Sequence, residues 1–416
     1  MRDRLHHLRD PIHGFVGLTL AERVLVDSEP FQRLRAIRQL GLTSYVYPGA
    51  EHSRFQHAIG VMQSATRLFD AVMARHGRDV TTILAWNDDD VARRRALLRL
   101  AALLHDIGHA PFSHTAEHLL PGGQSHEDFT IRIIEAEPIA ALIAACGHPH
   151  GFGAAEVASL VRGGEREPFL HQFLSGDLDA DRMDYLLRDS HYTGVPNGRF
   201  DHERLIHMLT IRVSEDGAPH LAIDEGGLHV AEAMLLARNF MFLQVYFHPV
   251  SRAFGHELAT FMEALLPGGR YPDALDAYLA WDDAAVMVAM RQVLATNSES
   301  AEHEAARRIL RRDPLRLVAQ TSDFASNDEV RAFDDLVGSV RAKFGGVPLF
   351  IETIEMDLVG DATASLTMRR KADGTFVPLR AASSLIASLR PIRETRLYVD
   401  RAHRDAVAAF CASAKR

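Results

Sequence analysis

The sequence predicts a mainly α protein with a small α+β subdomain at its C-terminal end. Three observations predict this. Apolar residues recur at helical spacing through most of the first 330 residues. Gly/Pro pairs, at Pro121-Gly122-Gly123, Gly163-Gly164 and Pro267-Gly268-Gly269, punctuate that helical body. From about Pro348 the pattern changes to short alternating segments separated by turns. The expected division is a core over 1–330 and a C-terminal subdomain over 331–416.

The elements follow in order. Gly14 to Leu20 reads as extended, and Phe31, Leu34, Ile37 and Leu40 mark a helix from about Glu29 to Leu40, stopped by Gly41. Tyr45 to Gly49 is a loop. Phe55, Ile59, Met62, Leu68 and Val72 predict a helix over Arg54 to Met73. Trp86 to Asp90 is a solvated loop that caps a helix beginning near Val91. The acidic trio there could bind a cation, but capping explains it more simply. Leu97 to Leu104 is an apolar run that, as a helix, would place His105 and His109 four apart on one face, with Pro111 ending it. Val213 to Ile223 alternates around Asp216-Gly217 as a hairpin. Phe350 to Leu358, Ser365 to Leu379 with a turn at Asp373-Gly374, and Arg396 to Val399 predict the C-terminal strands.

Composition narrows the class. Apolar residues make up 47% and charged residues 24%, enough to bury a sizeable core. The formal net charge of -9 offers no general basic field for nucleic acid, and no apolar stretch approaches the roughly 20 residues that span a bilayer. The only two cysteines, Cys146 and Cys411, exclude a disulfide framework, and the charged N-terminus lacks a secretory signal. The expectation is a soluble, cytoplasmic protein. Its 23 histidines suit metal or proton-transfer chemistry.

That chemistry concentrates in His105-Asp106-Ile107-Gly108-His109-Ala110-Pro111-Phe112-Ser113-His114. An imidazole beside a carboxylate gives a mixed nitrogen and oxygen donor set that suits Fe, Mn, Zn, Ni or Co. Two further clusters stand out: Glu51 to Gly60, with His57 inside an amphipathic helix, and Asp177 to Asp189. On a helix, Asp181, Tyr185 and Asp189 rotate through only about 80° and share one face, with Arg182 beside it. Such a stripe would suit a metal next to a phosphorylated, ring-bearing substrate.

A His, then His-Asp, then a distant Asp, all on helices, matches the HD-domain phosphohydrolase pattern. More fully, the chain resembles the deoxynucleoside-triphosphate triphosphohydrolases of the sterile-alpha-motif-and-HD-domain family, without the sterile-alpha-motif domain. The similarity runs from Asp10-Pro11-Ile12-His13-Gly14 through Phe31-Gln32-Arg33-Leu34-Arg35, Gln39-Leu40-Gly41 and the three clusters to Arg238-Asn239 and Tyr246. It covers roughly the first 260 residues. The resemblance implies that His57, His105, Asp106 and Asp181 hold the metal, and that His109, His126 and Glu117 are catalytic. It assigns Arg54, Arg182 and Arg238 to the triphosphate. His114, Tyr185 and Asp189 would contact phosphate or sugar, Gln39 and Leu40 the sugar, and Tyr246 the base. The implied cofactor is a divalent transition metal, accompanied by Mg on the triphosphate. The implied activity releases deoxynucleoside and tripolyphosphate from a dNTP, in a homo-oligomer (dimer or tetramer).

The chain departs from the regulated animal relatives. Glu117 stands for an Asp, and Phe247 for a Gln. Asp27, Gln32 and Arg35 match the family's guanine-nucleotide activator set, but His6 replaces a lysine. Basic residues of a second activator site are replaced by Asp224, Gly226 and Pro249, with Arg204 remaining. An activator site needs positive charge to hold a triphosphate, so these losses predict weak or absent dNTP-driven assembly.

Plainer readings stand beside these. His57 alone would be an ordinary helix histidine, and Tyr246 sits among core-forming aromatics. Gln32 and Arg35 fit a solvated helix face, as do Arg93 to Arg95 and Arg307-Arg308 with Arg311-Arg312. Cys146-Gly147-His148-Pro149-His150 reads as a structural loop. Other functions also fit the pattern. A second metal on His109, His114 or His126 would make a dinuclear phosphodiesterase, phosphatase or oxygenase. A third reading is a catalytically weak nucleotide-sensing module.

Overall fold

The computed structural model describes residues 5–296, 298–357 and 366–414. Its body is helical, built around α1 (Arg54–Leu84), which packs on α2 (Asp88–Leu104) and, further along the chain, on α4 (Ala180–Thr193). Between them α3 (His126–Glu135) closes the loop that follows α2. α5 (Leu228–Met241) continues into one π-helical turn at Phe242–Tyr246, and α6 (Pro249–Leu265) follows. Among the described residues, no helix is long and apolar enough to cross a membrane.

Sequence dictates the helix ends. At α2, Asn87 Oδ1 accepts from Asp90 N at 2.9 Å and Asp90 Oδ2 accepts from Asn87 N at 3.1 Å, a reciprocal cap. Asp88, Asp89 and Asp90 fill the first turn, where the helix dipole favours negative charge. The acidic trio therefore caps, and the helix starts three residues earlier than its apolar pattern suggests. α1 runs well beyond Met73, to Leu84, because Val80 is still fully buried. Gly60 sets how closely α1 meets α4: a Cβ there would lie 1.9 Å from Asp184 Oδ1.

Two local expectations are corrected. The helix expected over 29–40 is an α-turn at Glu29–Gln32 and a 3₁₀ turn at Arg33–Ala36, and Ile37 is extended. Long-range pairing overrides local periodicity: Arg54 N donates to Ile37 O, and Gln39 N to His52 O. The helix carrying the His-Asp pair ends at Leu104, not at Pro111. Residues 105–112 form turns, so His105 and His109 are not stacked on a helix face. Gly108 explains the break, since its N–H donates to Thr130 Oγ1 and a Cβ there would strike the α3 backbone at 2.2 Å.

Among the described residues, three sheets accompany the helices. β1 (His6–Asp10) and β2 (Gly14–Leu18) form an antiparallel hairpin; β2 matches the extended segment expected there, and β1 was not foreseen. β3 (Leu209–Val213) and β4 (Pro219–Asp224) are the expected second hairpin. Further along come β5 (Arg316–Gln320), β6 (Leu349–Met356), β7 (Thr367–Arg369), β8 (Phe376–Pro378) and β9 (Ile392–Val399). β7 pairs in parallel with β4 and antiparallel with β8, giving the order β3-β4-β7-β8. β9 lies between β5 and β6, antiparallel to both. Both larger sheets therefore draw strands from each side of position 330. The expected strand ends at Leu358 and Ser365 fall outside the described residues. The fold is mainly α, with a small α+β region at the C-terminal end.

The main core gathers Phe55, Met62, Leu68, Leu98, Leu103 and Leu104 of α1 and α2 with Phe169, Phe173 and Leu186. Each fully buried side chain of this kind contributes about 2 kcal/mol. A second cluster around Phe112, Phe254, Phe261 and Tyr278 fixes the loop after the His-Asp pair against α6. The basic residues of 307–312 are not uniformly solvated. Arg308 is buried, donating to Glu257 Oε1 and Glu304 Oε1 at 2.9 Å each.

Candidate active site

α1, the end of α2 and α4 bring four side chains from three stretches of chain to one point. His57 Nε2 lies 3.0 Å from Asp181 Oδ1 and 3.5 Å from Asp106 Oδ2. His105 Nε2 lies 3.4 Å from Asp106 Oδ1 and 3.7 Å from Asp181 Oδ1. His57, His105 and Asp106 could share one metal ion by geometry. His105 Nδ1 is turned away to Ala102 O at 2.9 Å, while its Nε2 is buried without a hydrogen-bond partner among the described residues. A buried orphan nitrogen carries a desolvation cost that a bound cation would remove. The residues present thus fit a transition-metal ion.

The charges agree. Burial alone would lower the His57 pKa, but hydrogen bonds to Asp181 and Asp184 outweigh it and raise it to about 10. Burial opposes ionisation of Asp106 too, yet His105, Arg54 and His109 hold its carboxyl well below the usual range. Asp181 is likewise lowered against burial, by His105 and His57. Negative charge this concentrated draws a cation, and a metal taking the place of those protons would release them.

Behind the tetrad stands a support that the sequence reading quoted only as part of a cluster. Asp184, fully buried, accepts from His57 Nδ1 at 2.8 Å, from His13 Nε2 at 2.7 Å and from Arg188 Nε at 2.8 Å. Arg188 Nη1 goes on to Asp10 Oδ2 at 2.9 Å. This chain anchors the N-terminal hairpin to α4. Spacing could have found it, since Asp184 is four residues from Arg188 on one helix face.

Beside the tetrad, three histidines meet. The His109 and His126 rings stack with centroids 3.9 Å apart and 15° between planes, and His114 meets His109 edge-on at 4.8 Å. Glu117 binds two of them: His114 Nδ1 at 2.8 Å through Oε2, and His126 Nδ1 through Oε1. Burial would raise the Glu117 pKa, and hydrogen bonds from His114 and His126 reverse this and hold the carboxylate ionised. Burial, then Arg54 and His126, press His109 well below the usual histidine range, so it is neutral at pH 7. His109 Nε2 still reaches Asp106 Oδ1 at 3.3 Å, linking the trio to the tetrad.

These groups open into a cavity of about 850 Å³ lined by Gln39, Leu40, Arg54, His114, Tyr185, Asp189 and Tyr246, among others. Asp181, Tyr185 and Asp189 do share a face of α4 and all line it. Asp189 is fixed from two sides, accepting from His52 Nε2 and from the Tyr246 hydroxyl at 2.7 Å each. His52 lies inside the Glu51–Gly60 cluster, where local spacing gives it no role. Gln39 Oε1 is buried and unpaired among the described residues. Arg54 donates to Asp106 Oδ2 at 2.5 Å and to Ser113 Oγ at 2.8 Å, a buried guanidinium at the junction of tetrad and cavity.

Other expected site residues lie apart. Arg182 does not line the cavity; it turns to Gly176 O and Asp179. Arg238 does not line it either and stands over the Phe242 ring. The activator-set residues form a separate surface group. Arg35 Nε donates to Gln32 Oε1 at 2.7 Å and covers the Phe55 ring, while Asp27 pairs with Arg23. Asp224 pairs with Arg75 and Arg369, bridging α1 to β7. Cys146 ends a helix before a short 3₁₀ turn, and no metal-holding group includes it among the described residues.

Comparison with known proteins places these features. The HD domain model matches residues 54–189, and the model of the HD associated region matches residues 200–414. An uncharacterised protein of Bacillus subtilis, YwfO, is 39% identical over 248 residues, which cover 59% of this chain and 52% of that protein. Deoxynucleoside triphosphate triphosphohydrolase SAMHD1 of Gallus gallus is 31% identical over 279 residues, 60% of this chain and 43% of that protein. The chain thus spans about half the length of the curated relatives it matches. A hypothetical protein from Aquifex aeolicus superposes with a TM-score of 0.80 at 31% identity, over 98% of this chain and 100% of that one. A phosphohydrolase from Bacteroides thetaiotaomicron superposes with a TM-score of 0.77 at 26% identity, over 96% and 100%.

Proposed function

The chain belongs to the HD-domain family, carrying the HD-associated region behind its HD domain, and on that premise we propose that it is a metal-dependent dNTP triphosphohydrolase. The observation that carries this reading is the His57–His105–Asp106–Asp181 tetrad, with its orphan His105 Nε2, set beside a cavity of nucleotide size.

A metal held by the tetrad would supply positive charge at the α-phosphate. The protein supplies the rest. Buried Arg54, itself oriented by Ser113, would stabilise the charge that builds on the α-phosphoryl oxygens as water attacks. His126 has its Nδ1 committed to Glu117, which leaves Nε2 to protonate the leaving 5′ oxygen. Ionised Glu117 stabilises the imidazolium before that transfer. The bond that breaks lies between the α-phosphorus and O5′. Water provides the oxygen added to phosphorus, and the products are deoxynucleoside and tripolyphosphate. Arg182 and Arg238 would have to swing in to grip the phosphates.

The sugar end fits a deoxyribose. Asp189 and Tyr246 are locked to each other, with the Tyr185 ring 6.2 Å from that of Tyr246, and this rim would exclude a 2′-hydroxyl. A second metal on the histidine trio would support a dinuclear hydrolase, and the trio's nitrogens do lie within reach of one ion. The stacking of His109 on His126 counts against it, because in-plane lone pairs of parallel rings do not converge on one point. We read the trio as a proton relay.

The experiment is to incubate purified protein with each dNTP and NTP plus Mn²⁺ and identify the phosphate released. Tripolyphosphate from dNTPs supports the reading, while orthophosphate or pyrophosphate overturns it. The activator group, self-paired through Gln32–Arg35, supports weak nucleotide activation in a homo-oligomer. Strong stimulation of another dNTP's hydrolysis by trace dGTP would overturn that part.

A further inference from the structure

The cavity has a wall that the reaction just described leaves unused. α6 presents Ser251, Arg252, Gly255, His256 and Ala259 to it along one face, and β6 adds Phe350. Phe247, which follows Tyr246, lines the same cavity.

This wall is rigid. The His256 and Phe350 rings stack with centroids 3.9 Å apart and only 7° between planes, and Phe350 stacks in turn on Tyr398 of β9 at 5.2 Å. The Tyr398 hydroxyl donates to Glu352 Oε2 at 3.0 Å, and Glu352 also accepts from Arg252. Two routes from α6, one through His256 and one through Arg252, thus meet on Tyr398. Arg396 Nη1 adds a third tie, to Phe247 O at 2.5 Å.

It is also polar without being charged. The Ser251 hydroxyl is buried and has no hydrogen-bond partner among the described residues. His256 has no hydrogen bond to its ring among them either, and burial, with Arg308 nearby, lowers its pKa, so it is neutral at pH 7 with one donor and one acceptor. The Arg252 charge is matched by Glu352. A phosphate has no reason to settle here, whereas a flat group with hydrogen-bonding edges does. Unpaired polar groups in a fixed pocket select strongly for a ligand that pairs with them.

Resting on the nucleotide reading above, we infer that Ser251 and His256 are specificity-determining residues that read the hydrogen-bonding edge of the substrate's base. The β6–β9 sheet holds them in register through Phe350 and Tyr398. The residue pair works as a ruler for the base and takes no part in the bond cleavage.

The test is the kcat/KM of wild type, Ser251→Ala and His256→Gln for dATP, dGTP, dCTP and dTTP with Mn²⁺, with tripolyphosphate as the readout. Each substitution should alter the ratio between the best and worst base by about 3- to 10-fold, the size of one neutral hydrogen bond. Ser251→Ala removes one oxygen from a helix and keeps the fold if His256→Gln does not. Uniform loss across all four dNTPs, or an unchanged ranking in both variants, overturns the inference while leaving the triphosphohydrolase reading intact. A wild type that cleaves no dNTP overturns both.

Discussion

His57 Nδ1 donates to Asp184 Oδ2 at 2.8 Å, so the His57 ring can turn only its Nε2 toward Asp181 and Asp106. A ligand oriented in this way binds metal without first losing rotational freedom. Asp184→Asn should lower metal affinity by about 10- to 100-fold. It should also destabilise the metal-free protein by about 3–5 kcal/mol, because Arg188 is left buried beside a neutral partner. Metal titration and urea unfolding measure the two effects separately.

His105 and Asp106 should fail together. Removing either by alanine substitution is expected to take metal content from about one equivalent to none and to abolish turnover, given the order-of-magnitude losses seen for metal sites. Elemental analysis of the purified variants reads the first. Sustained turnover by a metal-stripped His105→Ala protein would sink the proposed chemistry.

Glu117 gives a pH-dependent outcome. Its folded pKa is depressed below the ordinary glutamate value of 4.5, so the stability it contributes is present above that value and lost as pH falls below it. Glu117→Gln should cost about 1–2 kcal/mol at pH 7, as charge-assisted hydrogen bonds do, with the gap from wild type closing in acid. Turnover should drop while metal content stays, since Glu117 touches His114 and His126 and none of the tetrad. Unfolding curves at pH 7 and pH 4 check the sign.

Tyr246→Phe removes the hydroxyl that holds Asp189 Oδ2 at 2.7 Å. The proposed pocket then loosens at the sugar, and kcat/KM for dNTPs should fall by about 3- to 10-fold, one hydrogen bond's worth. Discrimination against NTPs should fall with it. Steady-state rates on dATP and ATP decide, and unaltered discrimination would move the sugar elsewhere.

Gly60→Ala tests the approach of α1 to α4. The new methyl would sit 1.9 Å from Asp184 Oδ1 and 2.3 Å from Arg188 Nη2, both groups fixed by buried ion pairs. Overpacking of this kind costs about 1–3 kcal/mol or more. A thermal midpoint equal to wild type would mean the helices part easily.

Much of this was legible in one dimension. The His-Asp pair, the α4 stripe of Asp181, Tyr185 and Asp189, and the Asn87 cap depend on neighbours within a turn or two, where spacing dictates geometry. The end of α2 was not legible. Gly108 breaks that helix because the α3 backbone passes against it, and that proximity comes from a contact about 22 residues away. The helix expected over 29–40 failed for the same reason, through Ile37 and Gln39 pairing with the 52–54 segment. Arg308 is buried for a reason local spacing does not carry, since its partner Glu257 comes from a different helix.

The sequence by itself determined the residue types, their order and the helices that carry His57, Asp181, Tyr185 and Asp189, because periodicity and capping are local properties of the chain. Only the tertiary structure decided which nitrogen of His57 faces the tetrad, that His109 lies flat on His126, and that Phe350 and Tyr398 brace a cavity wall formed by α6. Those outcomes depend on burial and on partners from distant segments, and a buried polar group takes whatever partner packing brings to it.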